Sequence, residues 1–113
     1  MTTATAHDLI SAMISSGISA GLSAEDGNHV QRIVFPPFPL LSGVHAVASA
    51  SNIAIGGQDC HSESDGAFTG DVSAPMLSDA GCQWVILGHS ERRQHHHEAN
   101  QLIAQKVMAA QSA

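Results

Sequence analysis

Tyrosine is absent from this chain of 113 residues, and aromatic side chains make up only 4% of it. A core must therefore be built from Ile, Val, Leu, Ala and Met. Cations are almost as scarce. Arg32, Arg92, Arg93 and Lys106 stand against ten Asp and Glu, and the formal net charge is −6. So few cations cannot neutralise a run of phosphates, which excludes a nucleic-acid binder. A small anionic metabolite needs only one or two cations and some backbone N–H groups, so that ligand class stays open. Cys60 and Cys82 are the only cysteines. The N-terminus has no basic patch followed by an apolar run, so no secretory signal is read there. Two thiols in that setting point to a reducing cytoplasm, with both buried rather than bridged. No stretch approaches the ~20 apolar residues of a membrane span. What is present, 43% hydrophobic and 12% charged residues, fits a single soluble domain over residues 1–113.

Hydrophobic periodicity divides the chain into short elements. Leu9, Ile10, Met13, Ile14 and Ile18 recur at helical spacing over residues 5–20, with Thr5 and Asp8 as a capping pair. Gly21 to Asn28 reads as a loop. Val30 to Phe35 is a strand stopped by Pro36-Pro37, and Leu40 to Ala50 a second helix weakened by Gly43. Ile53-Ala54-Ile55 begins another strand that runs into Gly56-Gly57. A polar loop occupies residues 59–72. Ser73 then caps a short helix with Met76 and Leu77, ending near Gly81. Trp84 to Leu87 reads as a strand covered on both faces. Glu98 to Ala110 is the last helix, with Ala99, Leu102, Ile103, Val107 and Ala110 facing inward and Gln and Lys on the other face.

Strands alternating with helices, and apolar on both sides, imply βαβ units and a parallel sheet of about three strands. Three strands leave two unpaired edges, which natural folds cover. The chain opens in a helix and closes where a fourth strand would begin, so further structure is expected on both sides.

Three segments carry the chemistry. They are Val34-Phe35-Pro36-Pro37-Phe38-Pro39; then Gly56-Gly57-Gln58-Asp59 followed by Gly66-Ala67-Phe68-Thr69-Gly70-Asp71-Val72-Ser73; and Trp84-Val85-Ile86-Leu87-Gly88-His89-Ser90-Glu91-Arg92-Arg93. Gly88 to Arg92 superficially suggests a nucleophile elbow, but the last glycine is missing, which argues against a serine hydrolase. His95-His96-His97 and Asp59-Cys60-His61 invite a metal. Adjacent positions point in different directions, so both read as solvated or structural runs, and neither a metal nor a cofactor is expected.

Taken together, at these separations, the three segments resemble triosephosphate isomerase. The resemblance covers most of residues 5–113 and implies part of an eight-stranded β/α barrel, supplying its second to fourth strands. It implies interconversion of dihydroxyacetone phosphate and glyceraldehyde 3-phosphate through an enediolate, in glycolysis and gluconeogenesis. His89 would be the catalytic electrophile, with Ser90 and Glu91 supporting it; Ser90 reads as a helix cap, and Glu91 would orient a first-strand lysine. Thr69, Asp71 and Arg92 would belong to a homodimer interface, with Asp71 paired to Arg92 where a glutamate is usual. Gly57 and Asp59 depart from the commoner alanine and asparagine. The family's first-strand asparagine and lysine would fall upstream of Met1, and its catalytic glutamate and phosphate-gripping loops beyond residue 113.

The expected state of the chain by itself is thus an inactive fragment. The alternatives are a non-catalytic half-barrel interaction module and one part of a split enzyme. Moving a proton between carbons requires a base. In a coupled isomerase assay the isolated chain is expected to give no turnover; turnover abolished by His89→Gln would contradict this.

Overall fold

A computed structural model describes residues 2–19 and 31–113. The loop expected over Gly21–Asn28 and the first residue of the expected Val30 strand lie outside the described residues, as does the last residue of the expected 5–20 helix. The elements are α1 (Thr3–Ser19), β1 (Arg32–Val34), a 3-10 turn (Phe38–Leu40), α2 (Leu41–Ala48), β2 (Ile53–Gly57), α3 (Ala74–Asp79), β3 (Trp84–Val85), α4 (Ser90–His95) and α5 (Asn100–Gln111).

The three strands form one parallel sheet in the order β1-β2-β3. The fold is α/β, a partial β/α barrel with helices on one side. Register settles which side. Val34 lies beside Ile55, and Gly57 beside Val85, and all but the glycine pack into the helices. Ile53 and Ile55 meet Ala6 and Ile10 of α1 and Val44 and Ala48 of α2 in one buried cluster. Leu41, Cys60, Ala74 and Leu77 make a second, joined by Val85, Leu87 and Ala110. Burying a Leu or Ile in such a cluster is worth about 1.5–3 kcal/mol.

Ile33, Ala54, Gly56 and Trp84 point the other way. Trp84 is 45% exposed, so the expectation of a strand covered on both faces fails. Helices supply a layer on one face; on the other the Phe35 ring lies over Gly56, and Trp84 is left half exposed. Gly56 belongs to this arrangement: a Cβ there would lie 2.4 Å from the Phe35 ring and 2.7 Å from the Trp84 carbonyl oxygen, so the close approach of strand and ring requires glycine.

Several local details differ from expectation. The start of α1 is held by Thr2 and Thr5 rather than Thr5 and Asp8. The Thr5 N–H donates to Thr2 Oγ1 at 3.3 Å and the Thr2 N–H to Thr5 Oγ1 at 2.9 Å, a reciprocal box with threonine in place of glutamate. Leu9 is 48% exposed, so the inward stripe runs through Ala6, Ile10, Met13 and Ile14. Ser73 occupies the N-cap position of α3, but its hydroxyl makes no capping bond and is buried without a partner among the described residues. In α5 the stripe is rotated by about one residue: Lys106 is buried, whereas Val107 is 38% exposed.

Beyond α4, His97 adopts φ 57°, the only non-glycine at positive φ among the described residues. The position just past a helix end commonly takes this left-handed conformation and favours glycine, because a Cβ crowds the carbonyl there. His97→Gly is expected to raise stability by roughly 0.5–1 kcal/mol, read as a higher urea midpoint at unchanged slope.

Candidate active site

Parallel strands deliver their carboxyl ends to one edge of the sheet, and Gln58, Asp59 and the Ile86–His89 segment emerge there. Gly88, at φ 71°, turns the chain from β3 into α4. A side chain at Gly88 would be strained by that angle and would press on Arg93 and Ile103. His89 follows as the N-cap of α4, and its Nδ1 accepts the Glu91 N–H at 3.3 Å. In a neutral ring that bond assigns the proton to Nε2, which is then a donor. The Glu91 carboxylate is 3.8 Å from the same Nδ1, outside hydrogen-bond reach, so the backbone N–H sets the tautomer. His89 is half exposed and lines a cleft of about 340 Å³ with Gln58, Ile86, Glu91, Arg92, His95 and His96.

Ser90 is the first residue of α4 and is exposed; the cap is His89, which corrects the expectation that Ser90 caps the helix. An N-cap needs an acceptor aimed back at the second or third N–H, and the imidazole already fills that place. Glu91 is exposed in the first turn, favourable with the helix dipole, and the chain's one lysine is engaged elsewhere. Thr69 and Asp71 sit on the 59–72 loop, outside the lining of the cleft. That loop closes on itself through the His61 N–H bond to the Val72 carbonyl at 2.8 Å and a His61–Phe68 ring contact at 4.1 Å. Asp71 faces His61 Nε2 at 3.5 Å. Within the chain Arg92 pairs with two other acids, Asp59 and Glu98.

Those acids belong to a buried ring of four charges that sequence reasoning missed. Lys106 Nζ donates to both oxygens of Asp59, at 2.8 and 2.7 Å, and to Glu98 Oε1 at 2.6 Å, which uses all three of its hydrogens. Arg92 closes the ring from the cleft side, its Nη2 2.8 Å from Asp59 Oδ2 and its Nε 2.9 Å from Glu98 Oε1. Lys106, Glu98 and Asp59 are buried, and two acids balance two bases. The sequence did carry a signal. Lys106 lies four residues from Leu102 and Ala110 and three from Ile103, in the middle of the apolar stripe.

Burial alone pushes the Glu98 carboxyl up, but hydrogen bonds from Lys106 and Arg92, with their charges, outweigh it and hold Glu98 below the usual glutamate range. The Cys60 thiol, whose Sγ lies 3.9 Å from the Lys106 carbonyl oxygen, is pushed up by burial and then by Asp59. Burial also raises Cys82. Both therefore stay protonated, in keeping with packing rather than reactivity. Among the described residues no group of His, Cys, Asp and Glu is arranged to hold a metal, and no helix is long and apolar enough to cross a membrane.

A parallel sheet with helices packed on one face and an imidazole at its carboxyl edge has the form of a β/α-barrel segment. The comparisons make this particular. Residues 5–113 match the family model of triosephosphate isomerase. The triosephosphate isomerase of Prosthecochloris aestuarii is 47% identical over 112 residues, 99% of this chain and 42% of that protein. That of Carboxydothermus hydrogenoformans is 51% identical over 88 residues, 78% of this chain and 35% of the relative. The crystal structure of triosephosphate isomerase from Bartonella henselae superposes with a TM-score of 0.76 at 39% identity, over 88% of this chain and 40% of that one. The chain belongs to the triosephosphate isomerase family, and it spans about two fifths of the length of these relatives.

The ring sets a dependence of stability on acidity. A carboxyl held lower in the folded than in the unfolded state binds fewer protons when folded, so its contribution is complete above the ordinary glutamate range. It fades as pH falls through the lower folded value. Urea midpoints measured across that range are expected to drop on acidification, and Glu98→Gln to flatten the drop; an unchanged profile in Glu98→Gln would count against the assignment.

Proposed function

We propose that this chain contributes to the interconversion of dihydroxyacetone phosphate and glyceraldehyde 3-phosphate, with His89 as its catalytic group. Isomerisation through an enediolate builds negative charge on the substrate's carbonyl oxygen, and a preorganised neutral donor stabilises that charge without first having to reorient. The observation that carries the reading is the Nδ1 bond to the Glu91 N–H, which leaves Nε2–H free as that donor. A neutral imidazole in this role is the known pattern of the family and comes by resemblance. The segment acts as one unit of a barrel, with Ser90 and Glu91 bordering the donor. Family likeness further supports a homodimer, with Thr69, Asp71 and Arg92 on its interface, and a cytoplasmic setting in glycolysis and gluconeogenesis.

Among the described residues the only carboxylate lining the cleft is Glu91, which lies on the Nδ1 side of the ring. It is not placed to take a proton from a substrate bonded to Nε2, so the base must come from elsewhere in a complete barrel.

A chimera tests this. Residues 2–113 would replace the matching segment of the Prosthecochloris aestuarii relative, which is alignable over 99% of this chain. The chimera is expected to isomerise triose phosphates, and His89→Gln to lower kcat by about 10²–10⁴-fold. A folded chimera without activity would overturn the reading.

A further inference from the structure

The imidazole of His89 is aimed only as well as the peptide that carries it. The sheet holds the chain as far as Ile86, whose N–H donates to the Gly57 carbonyl at 2.9 Å. Two residues later comes Gly88, at φ 71°, and then His89. Glycine leaves the peptide unit after it free to rotate, and a peptide is planar, so the direction of the Gly88 carbonyl fixes that of the His89 N–H. Helix α4, which begins next, has six residues and buries none of them, so packing does little to hold that plane. Arg93 does hold it. The side chain turns back along α4, and its Nε donates to the Gly88 carbonyl at 2.8 Å. Its Nη1 donates to Asn100 Oδ1 at 2.7 Å, on the first residue of α5. Its Nη2 lies 3.1 Å from where a Gly88 Cβ would stand, and two carbons of the Ile103 side chain lie 3.3 Å from the same point. The backbone N–H of Arg93 donates to the His89 carbonyl at 3.1 Å. One residue thus holds the carbonyls on both sides of the His89 Cα.

We propose that Arg93 is a positioning residue for His89: its guanidinium fork locks the Gly88–His89 peptide, which keeps Nδ1 on the Glu91 N–H and Nε2 as the donor. The proposal rests on the reading of His89 as the donor. Two acceptors from separate segments meet one planar group whose Nε and Nη1 stand at a fixed angle. A lysine here would be a point charge on a flexible stem, without that angle. Charge is not what the contact uses. Gly88 offers a neutral carbonyl and Asn100 a neutral amide, and Arg93 is exposed, so its charge is screened. The lock is also separate from the buried ring, which Arg92 joins through Asp59 and Glu98.

The test has two arms. In this chain, ring-nitrogen NMR at about pH 8, where imidazoles are ordinarily neutral, reads the His89 tautomer. In the chimera described above, kcat and KM are measured for the same variants. Unaltered, His89 is expected to show one tautomer, with the proton on Nε2. Arg93→Gln and Arg93→Lys are both expected to mix the tautomers. In the chimera both should lower kcat about tenfold with KM within about twofold, because a misplaced donor loses a contact made in the transition state. Asn100→Ala frees the fork from α5 but leaves the Gly88 bond available, so it should lower kcat less, by about threefold. Lysine separates geometry from charge: if Arg93→Lys keeps the unaltered tautomer and kcat, charge suffices and the proposal is overturned. It is overturned as well if Arg93→Gln leaves the ring signals unmoved, or if a rise in KM carries the loss. Failure of Arg93→Gln to fold would also overturn it, by making Arg93 a general determinant of stability. The ring signals decide the role of Arg93 whether or not the parent chimera turns over, so an inactive chimera and a failed Arg93 assignment remain separate results.

Discussion

The structure depends on the requirement that a charge taken out of water be paired. Lys106 lies on the inward stripe of α5, where an ammonium without partners would be strongly unfavourable. Its three hydrogens find three carboxylate oxygens, and those carboxylates come from the end of β2 and from the α4–α5 connection. Removing one member of such a ring costs about 3–5 kcal/mol, because the others are left uncompensated, although a fully apolar replacement can be as stable. The pairing therefore does more for geometry than for net stability. It dictates that α4, α5 and the sheet edge meet at one point, beside the cleft that holds His89.

The arrangement also explains why the site sits on so little secondary structure. β3 has two residues and α4 six. Backbone bonds extend the pairing slightly, from the Gln83 N–H to the Ile55 carbonyl and from the Ile86 N–H to the Gly57 carbonyl, both at 2.9 Å. Past that point the chain turns on Gly88 and is secured by arginine side chains. The imidazole is oriented by its own second-neighbour N–H. His61 repeats this local device, its Nδ1 accepting the Glu63 N–H at 3.1 Å while Nε2 faces Asp71, so the 59–72 loop is likewise shaped by a histidine reading its own backbone.

Much of the framework could be read directly from the residues. The alternation of elements, the parallel sheet, the proline stop after β1 and the long polar loop all follow from periodicity and turn chemistry. The placement of His89 at a strand end follows from the apolar run before it. Two kinds of feature escaped. Caps were misassigned at Ser90 and Thr5, because the same residue types suit a cap or the position beside it, and only the hydrogen bonds distinguish them; Ser73 does stand at the N-cap of α3 but makes no side-chain capping bond. The buried ring escaped because lysine and glutamate are ordinarily solvent-facing, and the partners of Lys106 lie 47 and 8 residues away. Strand coverage was misjudged for a different reason: an apolar run reports what a face prefers, not whether this chain supplies its cover.

The uncovered face of the sheet has an optical consequence. The indole of Trp84 is the chain's only one and stands half in water, at the strand position that pairs with Gly56. With no tyrosine present, near-ultraviolet emission comes almost entirely from that ring. Whatever comes to lie against the inner side of the sheet must dry this indole first, and its emission will move to shorter wavelength as it does. The molecule thus carries, on the one face its own helices leave bare, a built-in reporter of closure.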